Sequence, residues 1–291
     1  MKLRDILVVL SVLSASASAQ ALELAPFKDS LFAYADVLKS GDNGNYLVID
    51  YQEMRDINGR DAIPERRVKD AYVSLQPKRS QRDLKVSTPS GTIKVMAVGR
   101  LEGASAIVIY LHGQGGNRQQ GMNDYTFGGN FNRLKNLMHR NGGLYLSPDF
   151  SDFGEKGEAQ IAALIEHFSA ASPNAPIIVA CGSAGGQLCW RLAENAPVSK
   201  KMSGLMLLGS LWDEAFLKSP AARRRVPVFF AHGSRDPVFP VDKQEAFYRA
   251  IKGNGGYPAR FHRFESGSHG TPIRMADWRG ILNWMLKAPP R

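Results

Sequence analysis

The stretch VACGSAGGQ, Val179 to Gln187, decides how the chain is read. It sets Ser183 at the junction of a buried apolar run, APIIVACGS (Ala175 to Ser183), and a helical pattern, GGQLCWRLAEN (Gly185 to Asn195). A strand that turns straight into a helix holds the turn residue in a strained conformation that only small neighbours tolerate, so its side chain projects outward. Cys181, Ala184 and Gly185 are those small neighbours. The helix start also directs the Ala184 N–H toward any negative charge forming beside Ser183. A phosphate loop is the rival reading, but no lysine followed by Ser or Thr occurs here and the glycines do not fit dinucleotide spacing. A serine among glycines is usually a plain turn residue, so the rest of the chain has to supply its partners.

Working outward, apolar runs alternate with helical patterns. ASAIVIYLHG (Ala104 to Gly113), GLYLSPDF (Gly143 to Phe150), SGLMLLGS (Ser203 to Ser210), VPVFFAHGS (Val226 to Ser234) and PARFHRF (Pro258 to Phe264) join the run before Ser183 as predicted strands. They are short, rich in β-branched or aromatic residues, and bounded by Gly, Ser or Pro. Between them, residues 157–171, 185–195, 241–253 and 271–287 show helical periodicity. Ile161, Leu164, Ile165 and Phe168 form one apolar stripe in the first of these. Strand and helix in alternation predict an α/β fold, a mostly parallel sheet with helices on both faces. SLFAYADVLKSGDNG (Ser30 to Gly44) reads as a helix ended by glycine, and NYLVIDYQ (Asn45 to Gln52) and TIKVMAVGRLEG (Thr92 to Gly103) as leading antiparallel strands.

Ligands of such sheets bind beyond the carboxyl ends of the strands, and those ends carry the chemistry. LHGQGGNRQQ (Leu111 to Gln120) offers backbone N–H groups close to a ligand. AHGSRDPVFP (Ala231 to Pro240) places Asp236 just past one strand, and FESGSHGTP (Phe264 to Pro272) places His269 just past the next. A serine nucleophile needs a base to take its proton, and the imidazole needs an acid to fix its tautomer. Ser183, Asp236 and His269 follow one another in the order that accompanies a strand-turn-helix serine.

On these residues the chain resembles the α/β-hydrolase family, from about Asn45 to Lys287. The resemblance implies that Ser183 is the nucleophile, His269 the general base and then acid, Asp236 its orienting partner, and the N–H groups of Ala184 and Gln114 the oxyanion hole. Cys181 departs from the G-x-S-x-G form of the family elbow, in which glycine stands first. Only Leu211 to Arg225 separate the strand before the acid-bearing one from it, too few residues for a multi-helix lid. An open site follows, suited to a bulky or polymeric ester. Tyr125, Phe127, Phe153 and Trp212 are candidates to line it.

Each residue has competitors. His262 falls inside a strand run, His139 and His167 lie in helical patterns, and His112 reads as a structural histidine of its loop. Asp213 is the rival acid; Asp149 and Asp152 read as rim or helix-capping residues. His and Cys are few and unclustered, so no metal and no cofactor are expected.

Composition sets the wider bounds. The chain has 291 residues, 44% hydrophobic and 22% charged, which excludes a disordered or fibrous chain. MKLRD, the apolar ILVVLSVL and the small residues around Ala17 and Ala19 predict a secretory signal at residues 1–19, ahead of a single domain at 20–291. The apolar run is shorter than the roughly 20 residues that span a bilayer. Cleavage removes Lys2, Arg4 and Asp5 and lowers the net charge from +10 to +9. The protein is thus expected in the periplasm or outside the cell, with acidic envelope components as possible associates. No basic motif interleaved with aromatics is present, so no nucleic-acid partner is expected. Cys181 and Cys189 are free to pair in that compartment; two buried thiols is the expectation taken here. The favoured activity is carboxylic ester hydrolysis, with amide hydrolysis by a peptidase of the same fold second. A non-catalytic envelope-binding protein is the alternative of a different class.

Overall fold

The six apolar runs form the middle of one ten-stranded sheet in the computed structural model, which describes residues 22–288 and 290. In chain order the strands are β1 (Val37–Gly41), β2 (Tyr46–Asp50), β3 (Asp61–Ala62), β4 (Arg67–Val68), β5 (Gln81–Thr88), β6 (Gly91–Gly99), β7 (Ile107–Leu111), β8 (Leu144–Pro148), β9 (Ile177–Gly182), β10 (Met202–Leu208), β11 (Val228–Gly233) and β12 (Ala259–Glu265). The sheet runs β1-β2-β12-β11-β10-β9-β7-β8-β6-β5, while β3 and β4 pair separately. Strands β2 and β7 to β12 are parallel; β1, β5 and β6 pair antiparallel at the two sides. Every residue of β7, β8, β9 and β11 is buried, as expected where helices cover both faces.

One apolar cluster lies on each face. Helix α1 (Asp29–Phe32) is short; α2 (Asn130–Arg140), α3 (Glu155–Ala171), α4 (Gly186–Glu194), α5 (Ala196–Ser199), α6 (Pro220–Arg223), α7 (Val241–Gly253), α8 (Thr271–Met275) and α9 (Trp278–Lys287) follow. The stripe of Ile161, Leu164, Ile165 and Phe168 on α3 joins Trp190 and Phe247 in one cluster, and Phe131, Trp278 and Leu282 belong to the other. The predicted helix over residues 271–287 is broken at Ala276 and Asp277, giving α8 and α9.

The amino-terminal reading needs two corrections. Residues 30–44 are not one helix, because Asp42, Asn43 and Gly44 take positive φ and turn β1 back onto β2. SGDNG thus closes a hairpin instead of capping a helix. In addition, β2 does not lead the sheet; it runs parallel to β12 at the far side, and only β5 and β6 form the leading antiparallel pair.

His262 belongs to this core. Its Nδ1 lies 2.9 Å from the Tyr34 hydroxyl, and its ring packs edge-on to Phe229. Burial, with Arg260 adding to it, pushes its pKa down to about 3. An unfolded histidine titrates near 6.5. Because the folded value is the lower one, its stabilising contribution is complete above about pH 6.5 and is lost as pH falls toward about 3, at up to about 1.4 kcal/mol per pH unit. The thermal midpoint should therefore drop between pH 7 and pH 4. His262→Gln, which keeps a hydrogen-bonding group but does not titrate, should flatten that slope; an unchanged slope would place the acid sensitivity elsewhere.

Candidate active site

Ser183 follows β9 directly and opens the 3-10 turn Ser183–Gly185 that leads into α4. Its φ is +50°, the left-handed region that a residue with a Cβ rarely occupies, at a cost of roughly 1–3 kcal/mol. The surroundings enforce the turn. A Cβ on Gly185 would sit 2.6 Å from the Leu111 carbonyl oxygen and 2.8 Å from that of His112, so the elbow packs against the end of β7 as only glycine permits. The Ser210 hydroxyl donates to the Ser183 carbonyl at 2.6 Å and fixes the turn from the β10 side.

His269 and Asp236 come to this serine from the ends of β12 and β11. His269 Nε2 lies 2.8 Å from Ser183 Oγ, and its Nδ1 lies 2.8 Å from Asp236 Oδ2. The carboxylate can only accept, so Nδ1 carries the hydrogen and Nε2 turns its lone pair to the serine hydroxyl. Asp236 has a fully buried side chain, while that of His269 is 28% exposed, so solvent reaches the imidazole but not the carboxylate. Asp236 Oδ1 accepts from the Val238 and Phe239 N–H groups at 2.8 and 3.1 Å. Burial alone would raise the carboxyl's pKa; the His269 hydrogen bond and these two N–H groups outweigh it and hold it below the usual carboxylate range.

The loop after β7 closes against Ser183. A Cβ on Gly113 would lie 2.9 Å from Ser183 Cβ and 3.4 Å from its Oγ, which puts the backbone leading into Gln114 at the serine hydroxyl. The Gln114 N–H donates to no acceptor among the described residues, and the Ala184 N–H stands in the first turn after β9, where helix starts leave such groups unpaired. His112 Nδ1 lies 2.9 Å from the Gly113 carbonyl oxygen, and its ring stacks on Phe150 at 4.2 Å.

The rivals lie elsewhere. Asp213 accepts from the Ala215 N–H and caps a turn; Asp152 does the same for Gly154 and Gly157 at the start of α3. His139 lies 2.8 Å from the Ser80 hydroxyl, and His167 packs on Phe168.

No protein-family model and no curated protein sequence matches the chain. Solved structures do. An esterase of Pyrococcus furiosus aligns at TM-score 0.53 and 17% identity over 75% of this chain and 96% of its own. A serine hydrolase without a lid from Xanthomonas campestris aligns at 0.52 and 16% over 74% and 96%. A thermostable esterase aligns at 0.57 and 16% over 73% of this chain and 64% of its own. The chain has the α/β-hydrolase fold.

Several parts of the site escaped the sequence reading. Cys181 and Cys189 are joined in a disulfide, contrary to the expected free thiols. Their positions, on the strand entering the elbow and the helix leaving it, bring them into reach across the turn. Removing the bridge with Cys181→Ala/Cys189→Ala should cost about 2–3 kcal/mol for so short a loop, read as a shift in the urea midpoint; no shift would mean that packing alone holds the elbow. Asp149 does more than shape a rim: it accepts from the Arg118 backbone N–H and guanidinium at 2.7 Å each, while Arg118 reaches Asp83 with its other nitrogens. This pins the Gln114 loop to β5 and the end of β8. His232 is fully buried beneath the acid, its Nε2 2.8 Å from the Phe239 carbonyl oxygen and 3.3 Å from Asp236 Oδ2.

No multi-helix lid stands between β10 and β11, where only a 3-10 turn (Glu214–Lys218) and α6 occur. The segment between β2 and β4 instead folds beside the His269 loop. Arg274 of α8 fastens it, donating to the Asp56 carbonyl and to both carboxylate oxygens of Asp61. Of the four aromatics named above, Phe127 lines a cavity there. Tyr125 lies under the Arg67 guanidinium, Phe153 packs on Phe150, and Trp212 packs on the core.

Proposed function

We propose that the protein is a serine hydrolase that cleaves carboxylic esters through an acyl-enzyme. The observation that carries this reading is the continuous hydrogen-bonded line Asp236–His269–Ser183, with both links at 2.8 Å, ending on a serine held at positive φ. A turn serine in a binding protein has no use for a buried carboxylate aimed through an imidazole at its hydroxyl. His269 takes the proton as Ser183 Oγ attacks the acyl carbon, and the Gln114 and Ala184 N–H groups receive the oxyanion. The imidazolium then gives its proton to the leaving oxygen, and water, activated by the same imidazole, releases the acid. Asp236 stays ionised throughout, stabilising the imidazolium. The disulfide supports export to an oxidising compartment, the periplasm or beyond.

The test is pre-steady-state hydrolysis of p-nitrophenyl acetate and butyrate by the mature protein. The reading expects a burst of nitrophenol close to one equivalent of enzyme, followed by slower turnover. A folded protein with neither burst nor turnover on these or on peptide p-nitroanilides would favour the binding-protein alternative.

A further inference from the structure

The cavity beside His269 has a volume of about 330 Å³, and Ser268 and Gly270, the neighbours of His269 on either side, both belong to its wall. That position has a chemical meaning. In acyl transfer the imidazole delivers its proton to the departing atom, so the departing group sits on the imidazole's side of the acyl carbon. A cavity walled by both chain neighbours of His269 is a candidate space for that group, and its walls bear on what the group would be.

Most of the wall area is apolar, although Thr126, Ser268 and Thr271 also line it. Tyr51, Ile57 and Phe127 face the space, and the edge of the Phe127 ring lies 3.8 Å from where a Cβ of Gly270 would stand. Arg274 lines it too, but its guanidinium is committed to Asp61 and the Asp56 carbonyl and offers no free charge to a ligand. Glu65 and Arg66, of opposite sign, are exposed contributors to the lining, so neither an anionic nor a cationic group is selected by net charge. The volume lies at the lower end for ligand sites, enough for a compact group. Tyr51 and Ile57 come from the segment that Arg274 fastens down five positions after His269, so the base and the opposite wall of the cavity are tied to one short stretch of chain.

We propose that this cavity is a leaving-group subsite for an uncharged apolar alcohol of about benzyl size, so that the enzyme discriminates among esters chiefly by the alcohol they release. The inference rests on the hydrolase reading above. In the reaction the ester C–O bond breaks, Ser183 Oγ takes the acyl carbon, and the alkoxide oxygen leaves with the proton from His269 Nε2 while its apolar body stays against Ile57 and Phe127.

The experiment compares methyl, butyl and benzyl acetates, with rates divided by those of alkaline hydrolysis, and a parallel set of methyl esters of lengthening acyl chain. Labelling by a fluorophosphonate is run on the same preparation. The proposal expects labelling, a normalised kcat/KM for benzyl acetate at least about 10-fold above methyl acetate, and a smaller spread across the acyl series. Ile57→Trp, which fills the cavity, should lower the benzyl-to-methyl ratio by about 10-fold or more. Ile57→Ala, which only removes contact, should lower it several-fold. A labelled enzyme whose benzyl and methyl esters differ by less than about 2-fold, or whose ratio ignores both variants, overturns the subsite and leaves the hydrolase reading intact. A folded protein that does not label overturns both.

Discussion

Ser183→Ala is expected to lower the turnover of an activated ester by about 10⁵–10⁶-fold while the far-ultraviolet circular dichroism stays that of the wild type. The expectation follows from what the hydroxyl does and does not hold up. Among the described residues its Oγ hydrogen bonds only to His269, while the turn is held by packing against the Leu111 and His112 carbonyls, by Ser210 and by the Cys181–Cys189 bridge, none of which hydrogen bonds to Oγ. Alanine can occupy the same backbone position, so the fold survives. The residual rate comes from the oxyanion N–H groups and from binding, which still favour attack by water. Turnover of p-nitrophenyl butyrate by enzyme freed of wild-type carry-over measures it. A loss of less than about 100-fold would show that Ser183 is not the group that becomes acylated.

Asp236→Asn is expected to cost about 10⁴-fold in kcat with little change in KM. Asp236 Oδ1 is already fixed by the Val238 and Phe239 N–H groups, so asparagine will keep its carbonyl oxygen there and present its NH₂ to His269. His269 must then accept at Nδ1 and carry its hydrogen on Nε2, the wrong tautomer for taking a proton from Ser183. Asp213→Asn serves as the comparison, because Asp213 caps a turn and makes no bond to the imidazole; it should stay within about 2-fold of wild type. Equal losses at the two positions would remove Asp236 from its orienting role.

Much of this was legible in the sequence because the informative segments are short and locally determined. Six strands showed as apolar runs between turn residues, and four of them, β7, β8, β9 and β11, are buried along their whole length and have no polar side to hide them. Ser183, Asp236 and His269 were readable because each stands one to four residues past the end of such a strand, where ligands of these sheets bind.

What escaped depends on long-range pairing. Helix α2 was missed because Asn130, Asn132, Arg133, Lys135 and Asn136 look like a surface segment yet are buried. Lys135 reaches Asp124 and the Met122 carbonyl in the preceding loop, and Asn130 reaches the carbonyls of Ile273 and Ala276 far along the chain, and these partners make their burial tolerable. The SGDNG stretch fits both a helix end and a hairpin turn, and only pairing with β2 separates them. The wall beside His269 depends on Arg274 meeting Asp61, 213 residues away in the chain. No local pattern announces such a contact, and the same holds for the bond between two cysteines on different elements.

The most direct measurement is the intact mass of the purified protein after reaction with a fluorophosphonate, with peptide mapping of the adduct and Ser183→Ala and His269→Ala alongside. The account predicts one adduct per wild-type chain, located on Ser183, none on Ser183→Ala, and labelling of His269→Ala slowed by at least about 10³-fold. A folded wild type that stays unmodified, or an adduct on a residue other than Ser183, would contradict it.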